Sequence, residues 1–218
     1  MFDPNKFSDD SINQFKTEGW EDNRFRLPIP GTRCVGTVQS LDNDKEWDGA
    51  DGKKYMGMKV VLGSTNPPGI TADQYLNSMP RPWGNKVSAL EDLIQVSGLD
   101  FEQNMSNRDI ATLLQQIWTE QIPVGFSITW EGWCRSLFEI TLMASTDTDT
   151  IEEAEEIATK KQRKEANKAA TLKAGDFKNG NGSYETPTTC DKTGQEVRAR
   201  LKIKEILSAD DVDDQLGG

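Results

Sequence analysis

The stretch Gln195–Leu207 reads QEVRARLKIKEIL and alternates apolar and basic residues without a break from Val197 to Lys204. Successive side chains of a β-strand point to opposite faces. As a strand, it would turn Val197, Ala199, Leu201 and Ile203 one way and Arg198, Arg200, Lys202 and Lys204 the other. The cations would then recur about every 6.6 Å, twice the ~3.3 Å rise per residue. That interval is close to the phosphate repeat of an extended single nucleic-acid strand. Like charges in a row are unfavourable unless an anion neutralises them. The plainer reading is a solvated outer face, or cations paired with acids on a neighbouring strand.

Lys53–Leu62 (KKYMGMKVVL) has the same design. Met56, Met58, Val60 and Leu62 would face a core, with Lys53, Tyr55 and Lys59 opposite. Cations interleaved with a ring are the components of a single-strand platform, because every base has a face that stacks. Asp48-Gly49-Ala50-Asp51-Gly52 is a turn signal, and Gly31–Leu41 (GTRCVGTVQSL) is the preceding strand of a hairpin. Trp47, Trp83, Trp130 and Trp133 are further ring candidates, each weighed against ordinary core packing. Trp83 stands in a loop beside Arg81 and Pro82, and Trp133 stands near Arg135.

Between these strands, Gly63–Gly84 reads as a long connector with Pro67, Pro68, Pro80 and Pro82. Asn85–Ser97 carries Val87, Leu90, Leu93 and Ile94 at helical spacing and stops at Gly98. Ser106–Trp118 opens on a near capping box and carries Ile110, Leu113, Leu114 and Ile117. Ile122–Glu131 and Trp133–Met143 read as two strands turning at Glu131-Gly132. Asp147–Lys173 has no Gly or Pro and puts glutamates before lysines, which predicts one long surface helix opened by Asp147-Thr148-Asp149. Asn179–Gly182 reads as a loop and Asp191–Gly194 as a hairpin turn. Ser208–Gly218, with Asp210, Asp211, Asp213 and Asp214, reads as an acidic disordered tail able to lie on a basic groove or recruit partners.

Composition narrows the function. The 218 residues carry a net charge of −11, so any nucleic-acid face must be a local arrangement. No histidine is present, which removes Ser-His-Asp and Cys-His nucleophiles and His-ligated metals. Cys34, Cys134 and Cys190 form no C-x-x-C pair, so neither a disulfide framework nor a zinc motif is indicated. Asp42, Asp44, Asp48 and Asp51 miss the calcium-loop spacing. No metal, cofactor or catalytic residue is expected. No apolar run approaches the roughly 20 residues that span a bilayer. Met1–Asp10 lacks the regions of a secretory signal. A cytoplasmic protein is expected, in the host cytoplasm if the chain is phage-encoded.

The layout of Gly31–Leu62, Asn85–Met143 and Gly182–Leu207, and above all G-S-Y-E-T-P…D-K-T-G-Q-E-V-R-A-R-L-K-I, resembles the OB-fold single-stranded-DNA-binding proteins of bacteriophages. The resemblance implies a mainly β fold with helical insertions (α+β), an OB-like antiparallel barrel plus a long surface helix. It implies a barrel face that takes single-stranded DNA without sequence preference in replication or recombination, and a tail that exchanges with DNA or binds replication proteins. The expected organisation is an arm at 1–30, a domain at 31–207 with insertions at 85–118 and 147–173, and the tail at 208–218. The expected DNA contacts are Lys53, Tyr55, Lys59, Trp83, Trp133, Arg135, Arg198, Arg200, Lys202 and Lys204. A homo-oligomer is compatible with this reading. The competing reading is a non-enzymatic protein–protein interaction module, a phage structural or host-interacting protein. A carboxylate-dependent enzyme comes third, because no carboxylate pair stands in a catalytic context.

Overall fold

A computed structural model describes residues 25–81, 87–100, 102 and 105–216. Its strands are β1 (Phe25–Arg26), β2 (Arg33–Asp48), β3 (Lys54–Asn66), β4 (Pro68–Asn77), β5 (Val124–Trp133), β6 (Thr171–Lys173), β7 (Glu185–Thr186), β8 (Thr188–Thr189), β9 (Glu196–Val197) and β10 (Arg200–Leu207). Its helices are α1 (Ala89–Val96), α2 (Asn107–Thr119), α3 (Arg135–Thr146), α4 (Ile151–Ile157), α5 (Lys160–Ala170) and α6 (Ala209–Leu216). Helix takes nearly as large a share as strand, so the fold is mixed α/β rather than mainly β. No helix among the described residues is long and apolar enough to cross a membrane.

The chain forms two compact units, one from 30–129 with 201–216 and the other from 25–29 with 130–200. Of the expected arm at 1–30, residues 1–24 lie outside the described residues. Strand β5 passes from the first unit to the second after Thr129, and β10 lies in the first unit from Leu201 onward.

In the first unit, β2 pairs antiparallel with both β3 and β5, and β3 pairs antiparallel with β4. Strand β10 lies parallel to β4, with Lys202 opposite Asp73, and also pairs with β5. The inward residues of β3 are the expected ones: Met56, Met58, Val60 and Leu62 join Val38, Phe126, Ile128 and Ile203 in one core. Helix α1 closes that core with Leu90, Leu93 and Ile94. The Ser88 hydroxyl caps it, accepting from Glu91 N at 3.2 Å, while Glu91 Oε2 accepts from Ser88 N at 2.7 Å. Helix α2 follows from its Ser106 cap and buries Ile110, Leu114 and Ile117. Its Asn107 ties it to the sheet, accepting from Ser78 Oγ at 3.0 Å and donating to Lys54 O at 3.0 Å.

Two expectations fail in this unit. The connector Gly63–Gly84 contains the end of β3 and all of β4. Ile70, Ala72 and Leu76 supply the inward face that the prolines obscure in the sequence. The acidic tail is helix α6, not disordered through 209–216. Its Val212 is fully buried and meets Gly125, where an added Cβ would fall 2.5 Å from Ser208 O.

In the second unit, the expected strand Trp133–Met143 is helix α3. Phe138 and Leu142 recur at i, i+4, and Leu142 packs with Ala154 of α4 and Ala166 of α5. The expected single helix Asp147–Lys173 is two helices and a strand. Asp147 ends α3 in the left-handed conformation, with φ 57°, rather than opening the next helix. Ala158 and Thr159 are extended, and Thr159 begins a fresh capping box with Gln162. Strand β6 pairs with the end of β5, and β1 pairs with β7. The turn at Asp191–Gly194 joins β8 to β9 as expected.

Candidate nucleic-acid interface

The face of the first unit turned away from its core is built from alternate residues of four strands. Antiparallel register sets Trp47 opposite Tyr55, Lys45 opposite Gly57 and Asp42 opposite Lys59 on β2 and β3. It sets Lys59 opposite Tyr75 on β3 and β4. Parallel register adds Lys202 beside Asp73.

Tyr75 is the exposed ring of this face, at 44% accessibility. Its hydroxyl and ring edge occupy the place where a side chain would begin at Gly57. Glycine there leaves the pleat bare, so the tyrosine crosses β3 instead of standing away from it. At one end of the face, Trp47 and Tyr55 pack with ring centroids 6.2 Å apart and planes tilted by 37°. Trp47 is half-buried.

Tyr55 is not the open stacking ring expected from the sequence. It is 8% exposed, and its hydroxyl donates to Asp51 Oδ2 at 2.6 Å. That bond, reinforced by Lys53 N donating to Asp51 Oδ1, holds the Asp51 carboxyl below its ordinary range and pushes the Tyr55 phenol up. Tyr55 therefore braces Trp47 and the β2–β3 turn. Lys53 is exposed on that turn, one residue before β3 begins.

The cations are partly spent. Asp73 receives Lys202 Nζ at 2.7 Å on one oxygen and Lys59 Nζ at 3.4 Å on the other. Lys204 is exposed. The expected continuous strand is broken: β9 ends at Val197 and β10 begins at Arg200. In the second unit Val197 is buried and Arg198 and Arg200 are exposed; in the first, Ile203 is buried and Lys204 exposed.

The remaining expected contacts divide from these. Trp133, Arg135, Arg198 and Arg200 belong to the second unit. There Trp133 is 47% exposed and packs against Phe138 at 5.6 Å, while Arg135 Nε pairs with Glu139 at 2.7 Å. Trp83 lies outside the described residues. Asp210 and Asp211 stand exposed in the first turn of α6, and Asp213 and Asp214 lie farther along it. The sequence reading missed Tyr75 and Lys45. The alternation Ile70, Ala72, Leu76 was the available signal, since it sets Asp73 and Tyr75 on the outer face.

No family model, curated protein or solved structure matches the chain.

Proposed function

We propose that the first unit binds single-stranded DNA without sequence preference, on the outward face of β3 and β4. The observation that carries this reading is the Tyr75 ring laid open across Gly57, with Lys45 and Lys59 on the same face. An exposed ring lying along a sheet offers a base a stacking surface, and nearby ammonium groups offer the backbone counter-charge.

The strand pairing supports the same reading. Order β10-β4-β3-β2-β5, with β10 also paired to β5, is consistent with an OB-type five-stranded barrel. Its second and third strands would be β3 and β4, the face on which OB folds take oligonucleotides, and the β2–β3 turn would be one of the flanking loops. Asp42 and Asp73 temper the positive charge of this face, so rings outweigh cations in the proposed contact. The role would be one in DNA replication or recombination, with the acidic α6 as a dock for replication proteins.

Titration of the intact chain with oligo-dT, followed by tryptophan fluorescence over a range of salt, tests the proposal. Quenching is expected, with affinity that falls as salt rises. Tyr75→Ala combined with Lys59→Ala should abolish it. Absence of quenching at low salt overturns the reading.

A second reading, a protein–protein module, is favoured by the large apolar side chains that the second unit leaves exposed: Trp133, Ile140 and Ile157. It predicts a stable protein complex in a pull-down, lost on Ile140→Ser or Ile157→Ser, and no response to oligo-dT.

A further inference from the structure

Two of the three cysteines meet at one turn, which Cys190 opens and whose side chains hold the Cys134 thiol. Cys134, at the junction of β5 and α3, is fully buried. Its Sγ lies 3.4 Å from Thr193 Oγ1 and donates to Gln195 Oε1 at 3.3 Å. Cys190 opens the turn between β8 and β9, and its amide donates to Gln195 O at 2.9 Å. The turn is held by two bonds to Cys190 O, from Thr193 N at 3.1 Å and Gly194 N at 2.7 Å, and Gly194 adopts φ 69° to close it. Gln195 Oε1 also accepts from Ser136 N at 3.0 Å, which fastens the turn to the start of α3.

Both cysteines are buried, but Cys190 lines a polar cavity of about 560 Å³ together with Thr188, Asp176 and Lys192, and Cys134 does not. Cys34 shares neither feature. It is sealed in the core of the first unit, where burial pushes its thiol up to about 11.

We infer that Cys134 and Cys190 are a redox-active dithiol, which closes to an intramolecular disulfide by exchange with a low-molecular-weight disulfide of the glutathione class. Cys190 is the attacking group. The Thr193 hydrogen bond, aided by Lys192 N and Cys134, holds its thiol below the ordinary range against the opposing effect of burial. The Cys190 thiolate bonds to one sulfur of the small disulfide, whose S–S bond breaks, and the expelled thiolate takes a proton from water. Cys134 then gives its proton to water and attacks Cys190 Sγ, expelling the second small thiolate. One small disulfide and two protein thiols become one protein disulfide and two small thiols. The product ties the β8–β9 hairpin to the first turn of α3.

The test incubates the full chain with oxidised glutathione, quenches in acid and alkylates the remaining thiols under denaturing conditions. Mass spectrometry of the unreduced chain should show loss of two of its three thiols without dimerisation. A non-reducing peptide map should join the Cys134 and Cys190 peptides. Cys34→Ala should lose two thiols as well, and Cys134→Ser should stop at one glutathione adduct on Cys190. Retention of all three thiols, a bond that includes Cys34, or a bond between chains overturns the inference. Should Cys134→Ser fail to fold, the peptide map of the unaltered chain decides alone.

Discussion

Lys202 Nζ stands 2.7 Å from Asp73 Oδ1 across a parallel pair of strands, and Lys59 closes on the other oxygen from the antiparallel side. One carboxylate thus occupies two ammonium groups on the outward face of the sheet. It stands where a phosphate would have to compete.

Asp73→Asn should therefore raise affinity for oligo-dT and steepen its salt dependence, by up to about 0.7 in the log–log slope for each freed cation that meets a phosphate. Stability should respond in the opposite sense. Partial burial pushes the Asp73 carboxyl up, but Lys202 and then Lys59 together outweigh it and hold the group below its usual range. A depressed folded value contributes stability above the ordinary carboxylate value of about 3.9, and that contribution is lost as pH falls through the folded value. Denaturation midpoints of the parent and Asp73→Asn should differ at neutral pH by about 1 kcal/mol or less and converge in acid.

Tyr75→Ala should weaken oligo-dT binding by about 1–3 kcal/mol, the worth of one stacked base. The ring is nearly half exposed, so the thermal midpoint should move little. Gly57→Ala is the sharper probe, because its methyl group displaces the far end of the Tyr75 side chain while leaving the ring chemistry intact. Loss of binding in both variants would implicate the ring's position. Unchanged titrations would remove Tyr75 from the interface.

Gly125→Ala should loosen α6. The added methyl meets the backbone oxygen of Ser208 and the Val212 side chain, and a main-chain neighbour cannot step aside as a side-chain tip can. A cost of about 1–3 kcal/mol is expected for such overpacking. Hydrogen exchange should accelerate through 209–216, while α1 and α2 keep their protection.

Thr159→Ala should destabilise the second unit by about 1 kcal/mol through loss of a helix N-cap. The Thr159 hydroxyl accepts from Gln162 N at 3.3 Å, and its amide donates to Gln162 Oε1 at 2.9 Å. Thr159→Ser keeps both bonds and should behave as the parent in urea denaturation. Equal losses in the two variants would place the effect in the methyl group instead.

Much of the first unit is readable from local pattern. The alternation of Met56, Met58, Val60 and Leu62, and the capped helices after Ser88 and Ser106, are decided within a few residues of chain. Strand β4 is masked by its prolines. Helix α3 is masked because Trp133–Met143 offers apolar residues to both periods, and only Ala154 and Ala166 beneath Leu142 select the helical one. The break at Ala158 is similarly hidden. Glu, Ala and Lys favour helix throughout 147–173, yet packing Ala154 and Ala166 on the same Leu142 goes with a bend that intrinsic preference does not encode.

By itself, the sequence determined the inward and outward sides of β3 and β10, the two capped helices and the turn before β9, because each depends on contacts or periodicity along the chain. Tertiary structure alone decided that β10 lies parallel to β4, that Asp73 engages Lys202 and Lys59, that Tyr75 rests on Gly57 and that Cys134 meets Thr193. Those pairs bring together residues 14 to 129 positions apart. Which distant side chains meet follows from strand register and core packing, to which local preference contributes nothing.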